Sequence, residues 1–444
     1  MPSQPTTHVR YVIVLMLFIA STFSYGDRVV LSIAADALSH DLRLDPVHLG
    51  YLFSGFGWAY ALAQLPAGGL LDRFGSKSVY GISIFCWSLC AVLAGFTGYL
   101  PAVAAFYTLF ALRLLDGLAQ APVFPGNGRI VAAWFPTAER GRASALFNAA
   151  QYFSLVFFAP IMGWIVHLWG WKQCFWFAGA VGLLLGAFWY RVIHGVQSHP
   201  RISQPEIDLI EQGGGLASLD AAGRARANTL TWSSVRWLLG KRMLVGIYLG
   251  QYCITTLTWF FLTWFPVYLS RARHIPIVKV GFLAALPALC GFIGGILGGV
   301  VSDELLRAGR SLSFARKLPI VAGMLLAMSM VACNYVSTRT AVIAIMALAF
   351  FGKGFGALGW TVVSDTSPKT LVGINGGLFN LIGNLAGVTT PIAIGYIVGH
   401  TGSFRGALVF VAATALLAIV AYLPIVGEIK RIETPPELLP GATA

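Results

Sequence analysis

The sequence predicts an all-α integral membrane protein in which twelve transmembrane helices form two pseudo-symmetric six-helix halves. Charged residues make up only 11% of the 444-residue chain, against about a quarter in soluble domains, while apolar types reach 57% and mean hydropathy is +0.75. Apolar windows of about 20 residues, long enough to cross a bilayer, recur twelve times. The second half of the chain also repeats motifs of the first at a near-constant offset.

Taken in order, the first window, 11–38, reads as a helix and not as a cleaved leader. It runs on through Asp27 and Arg28 and lacks a small-residue cleavage pattern before a soluble domain. Helix 2 (47–71) leads into Gly68-Gly-Leu-Leu-Asp72-Arg73-Phe-Gly75-Ser-Lys77. There Gly75 suits a tight turn, and Asp72, Arg73 and Lys77 either latch neighbouring helix ends across the halves or simply anchor topology. Helices 3 (78–99), 4 (101–134), 5 (142–168) and 6 (172–192) complete a first half spanning 1–190.

Residues 191–242 then turn polar and carry Gly213-Gly214-Gly215, the composition of a cytoplasmic connector. Within it, Ser203-x-x-Glu206 with Pro205 starts a short helix that Gly213 ends. The segment reads as a solvated spacer or a regulatory contact, with no chemistry of its own. The second half, 243–444 with a cytoplasmic tail, holds helices 7 to 12 at 243–270, 278–302, 318–336, 340–366, 372–400 and 404–427.

Leu146-Phe147-Asn148 and Leu378-Phe379-Asn380 begin matching segments, each followed by Gly-x-Ile-Val, at Gly163 and Gly395. This offset of 232 also carries Pro136 onto Pro368 and Gly141 onto Gly373, so helices 4 and 5 correspond to helices 10 and 11. Gly68-x-x-x-Asp72 echoes in Gly299-x-x-x-Asp303 at offset 231, pairing helices 2 and 8.

A net charge of +13 invites a nucleic-acid reading, but the basic residues are distributed by membrane side. With the N-terminus in the cytoplasm, 19 Lys and Arg, Lys369 among them, fall on that side and seven on the other, the bias that places both termini inside. The six cysteines all lie in apolar helices without a Cys-x-x-Cys and read as packing residues. No metal or cofactor is indicated. With no Gly-x-Ser-x-Gly, His-Glu-x-x-His or phosphate loop, and eight scattered histidines, an enzyme is disfavoured.

Six charges lie within the apolar windows: Asp27, Arg28, Arg113, Asp116, Arg129 and Lys353. A charge in the bilayer interior costs from ~3 to ~15 kcal/mol, so it persists only when paired or lining a wet cavity. Four cations against two anions predict an anionic cargo, and the planar forks of Arg28 and Arg113 suit a carboxylate unless their role is to neutralise Asp27 and Asp116. Buried beside Arg28, Asp27 reads either as a proton-exchanging carboxylate or as a permanently ionised partner. The repeat sets Lys353 opposite Ala121, one residue from Gln120, where it serves the cargo or snorkels; Arg129 serves the cargo or anchors the end of helix 4. Tyr60 and Gln64, Gln151, Trp360, Asn380 and Asn384 offer neutral polar groups, with helix packing the alternative for Gln64 and Asn384.

The Gly68 to Lys77 run resembles the loop 2-3 signature of the major facilitator superfamily, with Ser76 where a second basic residue is usual. Tyr25-Gly-Asp27-Arg28, Trp58-Ala-Tyr60, Ala121-Pro-Val-Phe-Pro125-Gly126-Asn127, Trp259 to Pro266, Phe314-Ala-Arg-Lys317 and Phe351-Gly-Lys353-Gly resemble the anion:cation symporter family, and within it the bacterial glucarate/galactarate permeases. The resemblance implies proton-driven uptake of sugar acids by alternating access at the inner (plasma) membrane, by a multi-pass protein expected to be monomeric. Its partners would be the sugar-acid anion, protons and the lipid bilayer, with no nucleic acid.

It also implies that Asp27 matches the family's helix 1 proton site, that Tyr25, Arg28 and Arg113 belong to the central binding region, and that Tyr60, Gln151, Trp360 and Asn380 match substrate positions. Relatives usually carry a glutamate at Gln120 and an apolar residue at Asp116. Three coupling schemes therefore stay open: Asp116 replaces the lost carboxylate, coupling runs through Asp27 alone with Asp116 paired to Arg113, or transport is uncoupled or by exchange. An aldarate has a carboxylate at each end, so arginines of the first half would hold one end and Lys353 the other. A hexuronate or aldonate carrier and a non-transporting sugar-acid sensor are the alternatives; a multidrug exporter would favour a cavity of opposite sign.

Overall fold

The computed structural model describes residues 7–217, 219, 232–368 and 371–433, and every regular element within them is helical. Lys369 and most of the connector's 218–231 stretch lie outside the described residues. Among the described residues, eleven helices are long and apolar enough to cross a membrane, and the 29-residue Pro46–Phe74 is the twelfth. They are α1 (Val9–Leu42), α2 (Pro46–Phe74), α3 (Ser76–Tyr99), α4 (Ala102–Trp134), α5 (Arg140–Trp169) and α6 (Trp171–Val192), then α7 (Arg242–Ala272), α8 (Ile277–Arg307), α9 (Leu312–Asn334), α10 (Arg339–Thr366), α11 (Val372–Thr401) and α12 (Arg405–Ile425). Each corresponds to one of the twelve apolar windows.

Several of these helices are not continuous, and the breaks fall beside polar residues. α4 is α-helical over Ala102–Gln120, unwinds at Ala121 and Pro122, and resumes at Val123, because proline lacks the N–H that would continue the ladder. α10 stops at Phe355, two residues after Lys353, and restarts at Gly359. α7 widens into π-turns at Phe260–Trp264 and Tyr268–Ala272 on either side of Pro266.

The chain divides into two compact units. Among the described residues, one holds 7–43 and 58–217, the other 44–57, 232–368 and 371–433. The first is built around Ile13 and Leu17 of α1, Tyr80 and Trp87 of α3, Trp134 of α4 and Trp189 of α6; the Tyr80 and Trp189 rings stack at 4.1 Å.

Val196 and Ile210 of the connector are buried in that same core, so residues 195–217 pack onto the unit where a solvated spacer was expected. The expected short helix is present as Gln204–Gln212, but its Ser203 and Glu206 do not cap it. Ser203 Oγ accepts from Thr7 N at 3.0 Å, and the fully buried Glu206 carboxylate accepts from Val9 N at 3.0 Å and Arg10 N at 3.2 Å. These groups satisfy the orphan N–H donors at the start of α1 instead.

In the second unit α8 and α10 pack backbone to backbone. A Cβ at Gly294 would collide with the Phe351 carbonyl, and one at Gly354 with the Gly291 carbonyl. The opening turns of α2 belong to this unit, where Tyr51 and Tyr396 hydroxyls meet at 3.0 Å and Phe53 stands edge-on to Trp264.

Candidate functional site

Ser24, Asp27 and Arg28 recur at helical spacing on one face of α1, and Arg113, Asp116 and Gln120 do so on α4. In the first unit these two triplets meet. Arg113 Nη1 lies 3.2 Å from Asp27 Oδ2 and 2.8 Å from Asp116 Oδ2, so one nitrogen bridges both carboxylates. Gln120 Nε2 bridges them again, donating to Asp27 Oδ2 at 3.3 Å and Asp116 Oδ1 at 2.8 Å.

The Gln120 carbonyl points the opposite way. It accepts from Ser24 Oγ at 2.8 Å and from Arg28 Nη2 and Nε at 3.3 and 3.4 Å. Arg28 is further held over the rings of Tyr25 (4.7 Å) and Tyr60 (5.0 Å), contacts that take a cation without opposing charge. Relative exposures of 0% for Gln120, 2% for Asp116, 6% for Asp27, 7% for Arg113 and 8% for Arg28 leave these polar groups almost wholly dependent on protein partners.

The local balance differs from the surplus read off the sequence. Within the first unit the cluster holds two arginines and two aspartates, matched in number. Arg129 has left it, pairing with Asp72 of α2 and donating to the Leu219 carbonyl at 3.1 Å, because α4 resumes beyond Pro122 toward the end where α2 finishes. Lys353 belongs to the second unit.

The remaining polar candidates are dispersed. Gln64 is half-buried one turn beyond Tyr60, and Gln151 donates to the Asn148 carbonyl at 3.3 Å. In the second unit Lys353 is buried with Nζ 5.2 Å from the centre of the Phe350 ring. Trp360 is 46% exposed and packs edge-on to Phe379, while Asn384 Nδ2 donates to Asn380 Oδ1 at 3.1 Å and its carbonyl at 2.8 Å.

Of the residues read as a latch, Asp72 pairs with Arg129, Arg73 covers the Phe74 ring at 5.2 Å, Gly68 faces open space, and the Lys77 carbonyl accepts from Trp189 Nε1 at 2.9 Å. Gly75 turns the chain at φ +79°, where a side chain would be strained. The second unit repeats the ionic part: Arg316 binds Asp365 at 2.8 Å, Asp303 at 3.4 Å and Ser302 at 2.7 Å. Sequence reasoning missed Arg316 and Asp365 as partners, although the echo of Asp72 in Asp303 pointed to that helix end. It also missed Ser24, whose spacing from Asp27 and Arg28 was the available signal.

Among the described residues, eleven apolar helices of membrane-spanning length together with Pro46–Phe74, and charged side chains buried in the first unit, define a multi-pass membrane protein. The Major Facilitator Superfamily profile matches residues 17–391, and the chain belongs to that family. It is 57% identical over 431 residues, covering 97% of this chain and 95% of the relative, to the probable galactarate/D-glucarate transporter GudP of Bacillus subtilis (strain 168). It is 54% identical to the protein of the same name in Escherichia coli (strain K12), with 97% and 96% covered. Among solved structures, a D-xylose-proton symporter superposes with a TM-score of 0.73 over 95% of this chain and 98% of its own at 14% identity, a likeness of fold alone.

Proposed function

We propose that the protein imports a sugar-acid anion, foremost galactarate or D-glucarate, by proton symport with alternating access, as an inner-membrane monomer with both termini in the cytoplasm. The substrate class rests on the names of relatives that share more than half its residues over nearly full length. The coupling rests on one observation, the grouping of two arginines with two aspartates around Arg113.

With both aspartates ionised the cluster is neutral, and a carboxylate entering it brings an uncompensated charge, which costs several kcal/mol in low dielectric. A proton added to Asp27 or Asp116 leaves the two arginines one charge in excess, and the carboxylate then restores neutrality. Proton and anion therefore bind better together than apart. Arg28 and Arg113 take one end of the cargo, Lys353 takes a second carboxylate, and the polar groups of Tyr25, Tyr60, Gln64, Gln151, Trp360, Asn380 and Asn384 serve the polyol.

Labelled glucarate uptake into proteoliposomes, with proton entry recorded in parallel, tests this reading. Wild type is expected to accumulate glucarate with proton entry, and Asp116→Asn to keep exchange while losing proton-driven accumulation. Unchanged proton entry in Asp116→Asn would assign coupling to Asp27 alone. Glucarate uptake without proton entry in wild type would identify uncoupled or exchange transport, and retained binding with no uptake would sink the transporter assignment.

A further inference from the structure

We infer that Gln120 is a positioning residue that links the charge state of Asp27 and Asp116 to the readiness of Arg28 to bind the cargo anion. The inference rests on the proton-symport reading and adds the element that transmits protonation to the anion site.

A primary amide has a fixed polarity, two N–H donors on one side and a carbonyl acceptor on the other. Gln120 uses both at once, its nitrogen between two carboxylates and its oxygen against Ser24 and the Arg28 guanidinium. Reversing the amide would set its carbonyl against two anions and its N–H groups against the guanidinium donors. Its orientation therefore depends on the carboxylates being ionised. Protonating one removes a charged acceptor, so the amide N–H groups are held less firmly on that side. The amide then has reason to turn, and the turn withdraws its oxygen from Arg28. The turn releases the two Arg28 donors that Gln120 held, Nε and Nη2, for a carboxylate of the cargo.

The groups around this amide come from several elements: Tyr25, Asp27 and Arg28 from α1, Tyr60 from α2, Cys90 from α3, Arg113 and Asp116 from α4, with Tyr152 of α5 facing Tyr25. Of these side-chain types only a carboxyl group takes up a proton as the pH falls, since guanidinium groups are already charged and phenols and thiols already protonated. A pH-dependent change in anion affinity at this cluster therefore starts at Asp27 or Asp116. The amide is the group in hydrogen-bond contact with both of them and with Arg28.

The test is equilibrium binding of D-glucarate to the purified full-length protein in detergent from pH 5.5 to 8, for wild type, Gln120→Leu and Gln120→Glu. In wild type the affinity is expected to fall with rising pH by up to about tenfold per unit, the limit for one linked proton. Gln120→Leu removes the hydrogen-bonded link and leaves only the coupling through charge balance, so its slope is expected to fall to less than half that of wild type. Gln120→Glu places a carboxylate against Arg28 and is expected to weaken binding at least tenfold at pH 8, with recovery at pH 5.5. Gln120→Met, similar in length but without the amide, repeats the test if the leucine variant does not fold. A wild-type slope retained in Gln120→Leu or Gln120→Met overturns the inference alone. A flat wild-type profile overturns the proton-symport reading and this inference with it.

Discussion

Glu206 and Arg10 form a buried ion pair, with Arg10 Nη1 3.1 Å from Glu206 Oε1 although 196 residues separate them. The same carboxylate accepts from Thr7 Oγ1 at 2.6 Å and from two backbone N–H groups at the start of α1, so the connector supplies the first transmembrane helix with its N-terminal cap. An anion at that position also faces the positive end of the α1 dipole.

Glu206→Ala is therefore expected to destabilise the purified protein by about 2–4 kcal/mol, since it leaves two buried helix-start donors unsatisfied and Arg10 with Glu139 as its remaining carboxylate partner. Glu139 also pairs with Arg10, at 3.0 Å, but is partly exposed, and Glu139→Ala should cost about 1 kcal/mol or less. Thermal unfolding of both variants in detergent measures the difference. Equal losses would show that the connector contact does not support α1.

Arg113 bridges two carboxylates, so Arg113→Ala leaves two anions facing each other without their shared cation. A loss of about 3–5 kcal/mol in stability is expected. Adding Asp116→Asn removes one of the stranded charges, and the double variant should regain part of that loss. A double variant no more stable than Arg113→Ala would argue against charge balance as the organising principle of the cluster.

Lys353 is proposed to take the second carboxylate of a diacid. In competition assays Lys353→Ala should weaken aldarate binding about 10- to 100-fold, the value of one charge-assisted hydrogen bond, and change aldonate binding less than about threefold. Equal losses for mono- and diacid would remove Lys353 from that role.

The contact of α8 with α10 depends on the missing side chain at Gly294. Gly294→Val is expected to cost about 1–3 kcal/mol through overpacking against the Phe351 carbonyl, whereas Gly299→Ala, in open space on the same helix, should be close to silent. Unfolding temperatures of the two variants provide the comparison.

Much of this architecture was legible in the sequence because hydrocarbon imposes a simple demand: about 20 apolar residues per crossing, with every backbone group bonded inside its own helix. The same demand made Asp27, Arg28, Arg113 and Asp116 conspicuous, since ionised groups are costly there. Their pairing was legible only as one open reading, with Asp116 against Arg113, and the bridge from one Arg113 nitrogen to both carboxylates was not. Arg129, read as serving the cargo or anchoring the end of helix 4, pairs with Asp72 at that end, because sixteen residues, about 24 Å of helix, separate it from Arg113. Ser203 and Glu206 carried a capping signature and cap a different helix, because Val196 and Ile210 draw the connector onto the first unit's core.

By itself, then, the sequence determined the number of spans, the internal repeat and which charges must be hidden, all consequences of local composition against an apolar solvent. Only the tertiary structure decided that Arg113 bridges Asp27 and Asp116 and that Gln120 stands between those carboxylates and Arg28. Hydrogen bonds and ion pairs of this kind depend on distances near 3 Å between different helices. Helix packing sets those distances, and hydropathy is silent about them.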